Sequence, residues 1–113
     1  MKKESEAILL RIFIGESDEY KGEKLYKYLI NLLRKENIAG TTVVRGIIGF
    51  GKSSHLHTTS ILRLSSDLPI IIEVIDKKEN IERIKRMLDN VITEGLITEE
   101  KVKIILYEGS KQK

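Results

Sequence analysis

Residues 69–92, PIIIEVIDKKENIERIKRMLDNVI, decide the fold. Ile70 to Ile75 is apolar at every position except Glu73, so a strand here meets apolar surroundings on both faces and is central to its sheet. Pro69 opens it, where a missing amide costs no ladder hydrogen bond. The period then changes. Ile81, Ile84, Leu88, Val91 and Ile92 form one stripe at helical spacing, with Glu82, Arg83, Lys85 and Arg86 on the solvated side. Asp76 is expected to cap this helix, with Glu79 at the reciprocal capping-box position, and the helix to stop near Thr93-Glu94-Gly95.

The same order occurs upstream. Ala7 to Ile14 reads as a buried strand ending at Gly15, with Arg11 in its middle facing solvent or a subunit contact. After a polar turn, Leu25, Tyr28, Leu29, Leu32 and Leu33 share one face of a helix expected from about Gly22 to Asn37, with Gly40 as its left-handed cap. Tyr26 and Tyr28 fit core and interface positions better than chemistry. A β-branched strand follows from Thr41 to Phe50, and a last strand is expected from Val102 to Tyr107. Strand, helix, strand, strand, helix, strand with right-handed crossovers gives an α+β ferredoxin-like βαββαβ fold: a four-stranded antiparallel sheet with two helices on one face. The second face would carry Ile, Val and Phe, so it is expected to be buried in an oligomer.

At 113 residues the chain is read as one domain, 1–113, with a flexible loop at about 51–60 and a polar tail at about 108–113. Apolar residues make up 41% but aromatics only 5%, so Ile and Leu must fill the core. The absence of cysteine excludes disulfides and thiolate chemistry and fits a reducing cytoplasm. The N-terminal apolar run is too short for a signal peptide or a membrane span. Abundant Lys, Glu and Ile without Cys or Trp suggests a heat-adapted, thermophile host.

Charge is localised. The formal net charge is +3, and Thr41 to Ser66 contains Arg45, Lys52 and Arg63 without one Asp or Glu. Local basicity of this size suits a small anion better than a long polyanion. Gly46, Gly49 and Gly51 lie at the end of the second strand, followed by Lys52, where consecutive amides can form an anion nest or the glycines can mark a simple bulge. Arg45 and Lys52 have no acidic neighbour in the sequence, which favours a ligand role for both. His55 and His57 alternate in the loop and could hold Zn²⁺ or Cu²⁺, although two ligands make an incomplete site. No nucleophile pairs with a base and no carboxylates pair with each other, so the chain reads as a binding protein and not an enzyme. RNA recognition, which this fold also hosts, needs exposed aromatics on the central strands, and the third strand offers only aliphatics, so no nucleic acid is expected.

The segments VVRGIIGFG, RLSSDLPIIIEVID and EGLITEEKV, in that order, resemble the PII-like family known as domain of unknown function 190, over nearly the whole chain. A more distant resemblance, to the PII nitrogen-signalling proteins, implies a cytoplasmic homotrimer that binds ATP, ADP or AMP between subunits, with or without Mg²⁺. It also implies a loop between the second and third strands that engages a partner protein and is ordered by the effector. On that resemblance Arg45, Gly46, Gly49, Phe50, Gly51, Lys52, Gly95 and Lys101 are the expected ligand-binding residues. Gly49-Phe50-Gly51-Lys52-Ser53 stands where those proteins have Gly-Phe-Gly-Arg-Gln, so 2-oxoglutarate sensing through the glutamine is not expected. Gly95 and Lys101 remain of a second phosphate-binding turn, but Glu99 and Glu100 would repel phosphate unless they point away or hold a cation. The alternative is a trimeric metal-binding protein resembling the CutA group, with His55 and His57 as ligands.

Overall fold

The computed structural model describes residues 1–49 and 67–109. Its main sheet contains β1 (Lys2–Gly15), β4 (Gly40–Arg45), β5 (Pro69–Asp76) and β6 (Leu96–Tyr107), in the antiparallel order β4-β5-β1-β6. Helices α1 (Leu25–Lys35) and α2 (Lys78–Leu88) pack on one face, and a small hairpin of β2 (Glu19–Tyr20) and β3 (Glu23–Lys24) precedes α1.

Alternation along the strands assigns the faces. Ile8, Leu10, Ile12 and Ile14 stand opposite Asp76, Val74, Ile72 and Ile70, and these apolar residues are buried with Leu25, Leu29 and Leu33 of α1 and Ile81, Ile84 and Leu88 of α2. The intervening residues Leu9, Arg11 and Phe13, with Ile71, Glu73 and Ile75, form the face without helices. Arg11 is held there between carboxylates of both neighbouring strands: Nε donates to Glu73 and Nη1 to Glu100, each at 3.0 Å. Edge residues Val44 and Leu96 on this face are 44% and 60% exposed, so an apolar surface remains uncovered in the single chain.

Several boundaries differ from those read in the sequence. The first strand begins at Lys2, since Lys2–Glu6 pairs with Lys103–Tyr107, and the last begins at Leu96, since Leu96–Lys101 pairs with Ile8–Phe13. Lys2–Glu6 and Thr98–Lys101 are too polar to show in a hydropathy pattern. The second strand ends at Arg45, not at Phe50; Gly46 to Gly49 are not strand, and Phe50 lies outside the described residues. Helix α1 begins at Leu25, since Lys21 (φ 50°) and Gly22 (φ 83°) form the two-residue turn of the β2–β3 hairpin. Its left-handed terminus is Asn37 (φ 59°), not Gly40. The Ile38 amide donates to Leu33 O and the Asn37 amide to Arg34 O, the double bond of a Schellman end, while Gly40 already belongs to β4.

Asp76 corrects the expected capping box. Helix α2 has no side-chain cap, and Glu79 plays no reciprocal part. The Asp76 carboxylate, 7% exposed, instead accepts from the Ala39 amide at 3.0 Å, the Lys77 amide at 2.7 Å and Asn80 Nδ2 at 3.1 Å, tying the α1–β4 connection to the start of α2. Burial raises the Asp76 pKa, but the Ala39 amide, the Asn80 side chain and the amide and charge of Lys77 outweigh it and hold the carboxyl below its ordinary value.

Asp76→Ala is therefore expected to cost about 1–3 kcal/mol in urea denaturation at pH 7, since it leaves buried donors unpaired. A depressed folded pKa gives stability that is complete above the unfolded value and lost as pH falls through the folded one. The acid limb below about pH 4 should accordingly be shallower in Asp76→Asn than in the parent chain.

Candidate functional site

Three strand termini meet at one end of the sheet, here termed the loop end: the end of β4, the start of β5 and the end of β1. Pro69 stands between them, opposite Gly15 on one side and bonded through its carbonyl to the Gly46 amide at 2.7 Å on the other. The two roots of the segment 50–66, Gly49 and Asp67, are both here. A Cβ on Gly46 would lie 2.8 Å from Pro69 Cγ, and one on Gly49 would lie 3.2 Å from the same atom, so the proline ring fills the space that side chains would need. Gly95 precedes β6 at this end, with φ 155° and a hypothetical Cβ 3.0 Å from Phe13 O. Three strand spacings, roughly 14 Å, separate the β4 and β6 edges, so Gly46 and Gly95 share an end of the sheet without touching.

The electrostatics differ from those of the sequence alone. Arg45, which has no acid near it along the chain, donates from Nη2 to Glu16 Oε2 at 2.6 Å. Glu16 comes from the turn after β1, brought alongside by the β1–β5–β4 register, and its side chain is 18% exposed. Its other oxygen, Oε1, is buried without a hydrogen-bond partner among the described residues. Asp67 is already engaged, accepting from the Ser17 amide at 3.1 Å and Ser17 Oγ at 2.8 Å, and Asp18 accepts from the Gly15 amide at 2.9 Å. The loop end thus presents an exposed guanidinium and one half-satisfied carboxylate. Glu16 was missed in the sequence because its only signal, a polar turn after a strand, is common to any fold.

The expected residues are divided by the structure. Arg45, Gly46, Gly49 and Gly95 lie at the loop end. Lys101 is on β6 opposite Ile8, about 17 Å along the strand from Leu96 at the usual rise per residue. Gly95 to Lys101 is therefore not a turn, but an edge strand entered at Leu96. Glu99 and Glu100 point to opposite faces and are both paired: Lys85 Nζ donates to Glu99 at 2.6 Å, and Arg11 holds Glu100. Phe50, Gly51, Lys52, His55 and His57 lie outside the described residues, and among the described residues no three His, Asp or Glu side chains cluster as metal ligands. No described helix is long and apolar enough to cross a membrane.

Substitution at the two tightest glycines tests this geometry. Gly46→Ala and Gly95→Ala should each lower stability by about 1–3 kcal/mol, the first through overlap with Pro69 and the second through overlap with Phe13 O together with an unfavourable φ. Thermal and urea denaturation measure both.

Comparison with known proteins gives this geometry a family. The family described as "Uncharacterized ACR", domain of unknown function 190, matches residues 7–104. A UPF0166 protein of Methanocaldococcus jannaschii is 42% identical over 92 residues, covering 80% of this chain and 84% of that one. A UPF0166 protein of Aquifex aeolicus is 38% identical over 99 residues, covering 86% and 91%. Among solved structures, CPII of Thiomonas intermedia K12 bound to ADP, AMP and acetate is similar at a TM-score of 0.55 and 17% identity, over 90% of this chain and 91% of that one. The apo form of the same nitrogen regulatory PII-like protein matches at a TM-score of 0.55 and 15% identity, over 95% and 100%. The chain therefore belongs to the domain of unknown function 190 family and has the ferredoxin-like fold of the PII-like proteins.

Proposed function

We propose that this protein is a PII-like signalling or adaptor protein that binds an adenine nucleotide at the loop end of the sheet, in a cleft between subunits of a homotrimer. The observation that carries this reading is the juxtaposition of the exposed Arg45 guanidinium, held by Glu16, and the close-approach glycines. A nucleotide's phosphates suit the exposed side of the Arg45 guanidinium, which is 54% exposed while Glu16 holds its other side. Relatives in fold support the choice, since CPII is known bound to ADP and AMP.

The site lies between the roots of the segment 50–66, so a molecule bound there contacts both strands from which that segment departs. Through those strands, occupancy of the site would bear on a partner protein's contact with the chain. Assembly follows from the uncovered sheet face. Three copies packed through Val44, Leu96, Phe13 and Ile71 remove that surface from water and bring the loop end of one chain against its neighbour. Nothing in this arrangement requires catalysis.

Calorimetric titration with ATP, ADP and AMP, each with and without Mg²⁺, tests the proposal. Saturable binding near one nucleotide per chain is expected, and Arg45→Ala should weaken it by roughly tenfold or more. Absence of heat with all three nucleotides overturns it.

A further inference from the structure

At the end of the sheet away from the loop end, the four strands narrow to two. β5 pairs with β1 only from Ile8 to Gly15, whereas β6 follows β1 out to Lys2. Lys2–Glu6 and Lys103–Tyr107 therefore form a two-stranded arm with no third strand on either edge among the described residues. A ribbon of two strands is marginal in water unless something covers it. Its two edges differ. The β1 edge is polar, Lys2 to Glu6, which is the usual protection of a free strand. The β6 edge has no such protection from Ile104 to Tyr107, and Ile105, Leu106 and Tyr107 are 48%, 46% and 73% exposed. Since Ile97 stands opposite the core residue Ile12, alternation puts Ile105 and Tyr107 on the helix-bearing side of β6 and Leu106 on the other.

The other edge of the sheet holds a recess that suits these side chains. β4 is the second edge strand, and between it and α1 lies a hollow of about 310 Å³ lined by Tyr26, Lys27, Ile30, Asn31 and Val43. Val43 stands opposite Ile72, hence on the helix-bearing side, and Val44 is on the face without helices. Because β1 and β5, β5 and β4, and β1 and β6 are all antiparallel pairs, β4 and β6 run in opposite directions. A second copy set beside the first with its helices on the same side thus offers β4 as an antiparallel partner for β6. Both sides of the arm then find apolar neighbours. Ile105 and Tyr107 fall on the side of Tyr26, Ile30 and Val43, and Leu106 falls on the side of Val44. Charge does not oppose the contact, since Lys2 and Lys103 on the helix-bearing side of the arm are balanced by Glu4 and Glu6. Arm and recess lie at opposite edges of one sheet, so a chain cannot join its own, and the contact runs head to tail from copy to copy until it closes as a ring.

We propose that the Lys103–Tyr107 edge of each chain docks on β4 and the adjoining recess of a second copy, continuing the sheet from one subunit into the next. The number of copies, three, rests on the homotrimer of the proposed function; the choice of edges does not follow from it. The test is light scattering of the full chain at micromolar concentration, joined to cross-linking. Ile105→Lys with Tyr107→Lys alters residues that are exposed in the single chain, so this variant should keep the parent's circular dichroism while its particle falls from three chain masses to one. The chain has no cysteine, so introduced thiols are the only ones present. With a short bismaleimide, Asn31→Cys combined with Tyr107→Cys in one chain should give two and three linked chains on a denaturing gel, and neither single variant should link any. A three-chain parent whose mass the lysine variant leaves unchanged, and whose paired thiols link no chains, overturns the proposal and spares the homotrimer. Linking by Tyr107→Cys alone means that arms meet each other, which also overturns it. A parent of single-chain mass overturns the homotrimer and this contact together.

Discussion

The antiparallel pairing of Ile8–Gly15 with Pro69–Asp76 is the constraint on which the rest of the molecule depends. Both strands are apolar toward both faces, and only one face can be covered by the helices that this short chain affords. That register fixes the core by setting Ile8, Leu10, Ile12 and Ile14 against Ile70, Ile72 and Val74. It also decides what is left over: a second face of Leu9, Phe13, Ile71 and Ile75 with a single charged cluster, Arg11 between Glu73 and Glu100. Hydrogen bonding to Glu73 first, opposed by desolvation and helped by Glu100, raises the Arg11 pKa, so the guanidinium stays charged at any physiological pH. Exposed, such a cluster contributes little to stability. Covered by other copies, it restricts the sheets to arrangements that keep its partners together, which is specificity more than affinity.

The same register also arranges the two ends of the sheet. At one end it places Glu16 beside Arg45 and closes Gly46 on Pro69, making a small polar site between the roots of the 50–66 segment. At the other it aligns Lys101 and Lys103 with the start of α2. Each grouping arises from residues distant in sequence.

How much of this was legible in the sequence depends on whether the signal was local. The order of elements and the buried faces followed from period alone, because Ile70 to Ile75 and the stripe from Ile81 to Val91 state their environment without reference to anything else. The arm Lys2–Glu6 and the polar start of the last strand, Thr98–Lys101, did not, since such residues leave no apolar pattern, whereas Val102–Tyr107 was expected as strand. Asp76 before Glu79 looked like a capping box, but tertiary donors from Ala39 compete for the carboxylate and win. Arg45 looked unpartnered because an acid-free stretch of sequence is not an acid-free neighbourhood; the turn after β1 supplies Glu16. Glycine and lysine spacing joined Gly95 to Lys101 as a turn, whereas extended backbone carries them apart. The readings of Phe50, Gly51, Lys52, His55 and His57 fall outside the described residues and stand as sequence expectations.

The measurement that tests the central claim most directly is the mass of the purified protein by light scattering at micromolar concentration. The exposed Val44 and Leu96 on the face without helices, together with the trimer proposed above, predict a particle of about three times the 13.0 kDa chain mass. A stable, soluble particle of single-chain mass would contradict the account, because the face opposite the helices would then be in water and no cleft between subunits would exist.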